Sequence, residues 1–262
     1  ARSKDRRWSS AQGQEGGREV MHDPNAAHPA RRSSFDHEPP ALAASFYDRP
    51  TARVARDLLG AVLECHRDGV TARGRIVEVE AYLGPHDPAC HAAVGLTARN
   101  RQLHGPPATA YVYRIYGLHW CVNAVTQAAG IGSAVLVRAL EPLEGIDAMR
   151  RRRGGVPDRA LTNGPGKLCQ ALGIDGAHDG ARLDGVQGDG GDGRAGLVLR
   201  RGRAVPDGAV IVTPRIGITR AADWPLRFFV ADAERHVSRT PAGFLRLALP
   251  DARAWLRDRA MR

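Results

Sequence analysis

The run RGRIVEVEAYLG at residues 73–84 alternates so regularly that it constrains everything around it. Side chains on an extended backbone repeat every two residues, so Val77, Val79 and Ala81 share one face and Glu78, Glu80 and Tyr82 the other. A strand with one apolar face needs sheet partners. Strand-like runs lie at 61–66 (AVLECH), 111–115 (YVYRI), 120–125 (WCVNAV) and 134–140 (AVLVRAL), and again at 197–200, 209–218 and 226–230. Helical spacing is confined to 50–59, which stops at Gly60, to a stretch opened by Pro142 and closed by Arg150–Arg153, and to 165–172. Many strands and few helices predict an α+β class. We expect a single domain on a curved, mostly antiparallel β-sheet with flanking helices and a protruding β-hairpin.

Residues 1–44 are expected to form a disordered polar tail, being rich in Gly, Ser, Arg and Pro and without periodicity. The domain is expected over 45–240, with 241–262 a C-terminal segment that can hold a helix. The stretch GVQGDGGDGRAG at 185–196 contains GxGxxG by letter. It lacks the strand and helix that phosphate cradling needs, and Asp189 and Asp192 would repel a pyrophosphate, so it reads as a surface loop. The chain begins at Ala1 and its first methionine is Met21, so translation is expected to start there or upstream of residue 1.

The net charge is +10, and nearly all of it (+9) belongs to residues 41–262. A basic folded body attracts polyphosphates through counterion release, although a GC-rich genome also raises arginine without any nucleic acid. Cys65, Cys90, Cys121 and Cys169 form no CxxC and read as reduced, buried thiols of an intracellular protein. No apolar run approaches the roughly 18–20 residues of a membrane span, and no secretory signal opens the chain. GxSxG and HExxH are both absent. Lys4 and Lys167 are the only lysines. Amine chemistry would rest on Lys167, which reads better as a helix start or phosphate contact. Water activated by a carboxylate is the simplest remaining chemistry.

Carboxylates on a half-buried sheet ordinarily face solvent. Against that stands the segment after Tyr82, which turns through Gly84, Pro85 and Pro88 to reach His91. It places a carboxylate, an aromatic ring and an imidazole within one short stretch. The second cluster is YVYRIYGLHWCVN at 111–123, with three of the chain's five tyrosines. Tyr111 reads as core. Tyr116, beside Gly117, reads as an exposed ring at a hairpin tip that can wedge between base pairs.

Taken together and in order, RGRIVEVEAYLGPHDPACH, ARNR (98–101), YVYRIYGLHWCVN, VLVRALEPLEG (135–145), NGPGKLCQALGI and PLRFF closely resemble the alkyladenine (3-methyladenine) DNA glycosylase family, the monofunctional type. The likeness runs from about Phe46 to about Val230. It implies a base-excision-repair enzyme acting on double-stranded DNA with alkylated or deaminated purines, monomeric, cytoplasmic, without membrane attachment, and needing no metal or organic cofactor. By resemblance, Glu80 is the general base and Arg138 helps it hold the water. Tyr82 and Tyr113 sandwich the flipped base, His91 edges the pocket, and Asn123 checks against the 2-amino group of guanine. Tyr116 fills the gap in the duplex, and the backbone of Ile216 supplies a further acceptor. Arg99, Arg101, Lys167 and Arg215 are expected at the DNA backbone. Glu78 shares a face with Glu80 but not its role, so Glu78→Gln serves as the control.

Leu118 and His119 depart from the family's usual methionine and aromatic, and the 185–196 loop has no clear counterpart. Two other readings stay open. One is a catalytically silent nucleic-acid-binding module of the same fold; the other is a lyase, disfavoured by the scarcity of lysine.

Overall fold

The computed structural model describes residues 38–186 and 196–257. The expected tail up to residue 37 and most of the 185–196 loop lie outside the described residues. In chain order the elements are α1 (Ala44–Tyr47), α2 (Thr51–Leu58), β1 (Val62–Arg67), β2 (Val70–Tyr82), β3 (Ala110–Ile115), β4 (His119–Thr126), β5 (Ser133–Glu144), α3 (Ile146–Arg152), α4 (Pro165–Leu172), β6 (Gly196–Arg200), β7 (Val210–Thr213), β8 (Arg227–Val230), β9 (Leu247–Ala248) and α5 (Leu249–Trp255).

The strands form one open sheet in the order β3-β4-β5-β2-β8-β7-β9, with β1 pairing to β2 and β6. Every pairing is antiparallel. The α+β expectation holds, and residues from Pro39 onward form one unit. Strand β2 is the pivot. Along one edge its first half pairs with β1 and its second half with β8, while β5 runs along the other edge. Helix α2 packs on β2 and β5, burying Ala52, Val54, Ala55 and Leu58. Truncating a core leucine such as Leu58 to alanine costs about 2–5 kcal/mol. All four cysteines are buried free thiols.

Three expectations need correction. Pro142 does not open a helix: β5 continues through it to Glu144, and α3 begins after Gly145. Pro142 lies opposite Gly74, beside a register shift at Arg73/Gly74. There a Cβ on Gly74 would sit 2.8 Å from the Leu140 Cβ, so only glycine admits this approach. Strand β7 ends at Thr213 rather than 218, because Pro214 carries no N–H for the ladder. Residues 40–42, assigned to the tail, pair instead with β6: Leu42 N–H donates to Leu199 O and Arg201 N–H to Pro40 O, both at 2.8 Å.

Candidate active site

The carboxylate face of β2 is the main surprise. Glu78 and Glu80 are fully buried. Periodicity assigns a face but not its cover, and here the cover comes from two distant segments. Ile216 N–H donates to Glu80 Oε1 at 2.7 Å, and Ser238 N–H to Glu78 Oε2 at 2.6 Å. From β5, register shifts at Glu78 bring Arg138 across both carboxylates. Its Nη1 donates to Glu80 Oε2 and its Nε to Glu78 Oε1, each at 3.0 Å. Arg227 Nε adds a 2.6 Å bond to Glu78 Oε1. Burial works against the charge on Arg138, but Glu80 and Glu78 outweigh it and keep the guanidinium protonated.

Glu80 thus accepts from Ile216 at one oxygen and from Arg138 and the Tyr82 hydroxyl (2.9 Å) at the other. An ionised carboxylate offers roughly four lone-pair positions, so one remains for a water. The group is fixed by its donors and one acceptor short of saturation. For Ile216, an acceptor was expected; the group facing Glu80 is its N–H, because the chain turns inward after Pro214.

Tyr82, which donates to Glu80, also lines a narrow slot together with Cys90, His91, Tyr111, Tyr113 and Asn123, among others. Tyr111 and Tyr113 stack at 5.2 Å, and the His91 ring stands edge-on to Tyr113 at 4.6 Å. His91 Nδ1 and the Tyr111 hydroxyl are 2.9 Å apart, and Asn123 Nδ2 donates to Tyr111 O at 3.0 Å. Burial raises the hydroxyl pKa values of Tyr82, Tyr111 and Tyr113. Partial burial, helped by the Arg99 charge, lowers that of His91. The slot shares the wall Ala89–His91 and Tyr111 with a wider cleft of about 370 Å³ that Arg99 and Arg220 also line.

The β3–β4 hairpin presents Tyr116 at its tip, 87% exposed, with Leu118 72% exposed. Tyr116 and Gly117 both have positive φ (51° and 67°), and Leu118 N–H closes the turn on Ile115 O at 3.0 Å. Such primed turns match the strand twist. Among the expected backbone contacts, Arg99, Arg101 and Lys167 face solvent. Arg215 does not. It is 1% exposed and forked onto Asp87, because the turn after Pro214 directs it inward.

Residues 45–234 match the profile of methylpurine-DNA glycosylases. The chain belongs to that family. Among curated relatives, a protein of Methanoculleus marisnigri is 52% identical over 202 residues, covering 76% of this chain and 98% of that one. Another from Myxococcus xanthus is 47% identical, covering 76% and 94%. A third, from Chlorobaculum parvum, is 46% identical, covering 77% and 92%. Each is provisionally named a 3-methyladenine DNA glycosylase. This chain is accordingly a DNA-repair glycosylase. Among the described residues no cluster of His, Cys, Asp and Glu suits a metal ion, and no helix is long and apolar enough to cross a membrane.

Within this glycosylase site, sequence reading missed Asp87, Arg227 and Ser238, and misjudged Glu78. Asp87 had a faint signal. An aspartate before a proline in a turn commonly caps backbone amides, and Asp87 accepts from Leu83 N and Ala89 N at 3.1 Å. The anchoring of Arg138 by Glu78 makes Glu78→Gln unsuitable as a silent control.

Proposed function

We propose that this methylpurine-DNA glycosylase turns an alkylated or deaminated purine out of duplex DNA and hydrolyses its N-glycosidic bond. Glu80 accepts a proton from water as the water oxygen bonds to C1′ of the sugar, and the purine leaves with the electron pair of the broken bond. One observation carries the reading: a fully buried carboxylate, oriented by three donors and with one acceptor position to spare, tied by hydrogen bond to Tyr82 in the wall of a tyrosine-lined slot. Bond cleavage passes through an oxocarbenium-like sugar, and a carboxylate beside it both activates water and balances the developing charge.

The tyrosine rings suit purines made cationic by alkylation, with each cation–π contact worth roughly 0.5–2 kcal/mol. Damaged bases also unstack at lower cost, which adds selectivity before the slot is reached. Asn123, held by Tyr111 O, is the proposed check on guanine. Lys167, the sole lysine among the described residues, donates to Asn163 Oδ1 at 2.8 Å and does not line the slot. Lacking an amine nucleophile there, the reaction stops at the abasic site. We place the enzyme on chromosomal DNA in the cytoplasm, acting as a monomer.

A duplex carrying one hypoxanthine or ethenoadenine tests this directly. Strand breaks should appear only after hot alkali. Breaks without alkali would establish a lyase, and none on any alkylated or deaminated purine would leave a silent DNA-binding module. Tyr116→Ala addresses the hairpin. Binding to a lesion duplex should weaken by roughly 1–3 kcal/mol, the scale of one base–aromatic stack. Unchanged affinity at fixed salt would mean the ring does not enter the duplex.

A further inference from the structure

We propose that the buried Asp87–Arg215 pair positions the active site and sets its discrimination between cationic and neutral bases, acting through the Tyr82 ring and the Ile216 amide. The proposal rests on the glycosylase reading above. Arg215 Nη1 and Nη2 reach the two Asp87 oxygens at 2.5 and 2.9 Å, and Nη1 also donates to Ala81 O at 3.0 Å. The guanidinium carbon lies 4.7 Å from the centre of the Tyr82 ring. Its Nε is buried and finds no partner among the described residues. The guanidinium is thus held along its edge by Asp87 and Ala81 and on its face by the Tyr82 ring.

The pair therefore ties four parts of the site together. Asp87 fixes the turn that leads to His91 through its bonds from Leu83 N and Ala89 N. Arg215 holds the end of β2 at Ala81 and supports the Tyr82 ring. The residue after it, Ile216, delivers its N–H to Glu80. Tyr82 lines the slot and Arg215 does not, so the guanidinium lies behind the ring that would receive the base.

A cationic base on one face and a guanidinium on the other compete for the same ring electrons. Asp87 neutralises the guanidinium and keeps that competition weak. A neutral base such as hypoxanthine is indifferent to the balance. The charge state of this pair thus decides how well the slot takes one class relative to the other.

The test is the ratio of single-turnover excision rates on duplexes with 7-methylguanine (cationic) and hypoxanthine (neutral). Both rates are taken on one preparation, so any unfolded fraction cancels. Asp87→Asn exposes the ring to an uncompensated charge and should lower the ratio by about thirtyfold, the scale of a unit charge roughly 8 Å away at an effective dielectric constant of about 20. Combining Asp87→Asn with Arg215→Met removes both charges. The ratio should return to the parental value while both rates stay low, because Tyr82 and Ile216 have lost their anchor. Arg215→Lys keeps the charge but not the planar fork, so it should slow both lesions and leave the ratio alone. An active parent whose ratio does not change in Asp87→Asn overturns the proposal and leaves the glycosylase reading intact. A parent inert on both duplexes overturns the glycosylase reading itself.

Discussion

Glu80→Gln is expected to bind a hypoxanthine duplex about as tightly as the parent and to excise the base roughly 10²–10⁴-fold more slowly, the range for losing a general base. The substitution is nearly isosteric, but it removes the charge and replaces one acceptor by an NH₂ donor. In this site that matters doubly. Arg138, Tyr82 and Ile216 all present donors to the group, so the amide nitrogen must face at least one of them. The remaining lone pair, assigned to water, is then no longer basic. On the proposed reading phosphate contacts and the hairpin hold the duplex, and the change touches neither, so binding should survive. Anisotropy at fixed salt and single-turnover excision separate the two effects. Excision near the parental rate would remove Glu80 from the chemistry.

For Glu78→Gln the larger effect is on stability. Glu78 accepts from Arg138, Arg227 and Ser238, and neutralising it leaves two buried guanidiniums with too little negative charge. Breaking a buried pair from one side costs about 3–5 kcal/mol, and a domain of this size loses roughly 2–4 °C of Tm per kcal/mol, so Tm should fall on the order of 10 °C. Excision should fall as well, measured well below the melt, because Arg138 loses the anchor that aims it at Glu80. The acid side gives an independent reading. Burial alone would raise the Glu78 pKa, but Arg138, Arg227 and the Ser238 amide hold it below the ordinary range. A carboxyl depressed by folding contributes stability that is present above its unfolded pKa, about 4.3, and lost as pH falls through the folded value. The parent should lose this contribution below about pH 4, and the variant should show a shallower acid limb. Parental Tm and rate would make Glu78 a bystander.

These residues show what sequence can reveal and where it stops. The β2 alternation put Glu80 and Tyr82 on one face, and the structure brings both together at the site, joined by a 2.9 Å hydrogen bond. Tyr116 beside Gly117 was legible as a hairpin tip, because the positive φ there is local chemistry. Burial of the carboxylate face was not legible. It depends on segments 214–218 and 236–240, more than a hundred residues away, whose amides reach back over β2. Arg215 fails for the same reason: a guanidinium bound to phosphate and one bound to a buried carboxylate look alike in a string of letters. Pro142 misled because proline marks both a helix start and a strand position that needs no donor, and only its pairing opposite Gly74 in the folded sheet shows which applies.

The four buried thiols have a consequence for an enzyme of alkylation repair. Such a protein does its work in the presence of the electrophiles that damage DNA, and thiolates are the side chains most readily attacked by them. Burial raises the pKa of Cys65 to about 12 and of Cys121 to about 11, and also raises those of Cys90 and Cys169. Ionisation is then suppressed at neutral pH, and little of each thiol's surface is exposed. Even Cys90 and Cys121, close to the tyrosine slot, remain in the inert thiol form. The repair enzyme should therefore outlast, in its folded state, a dose of methylating agent that modifies ordinary exposed cysteines.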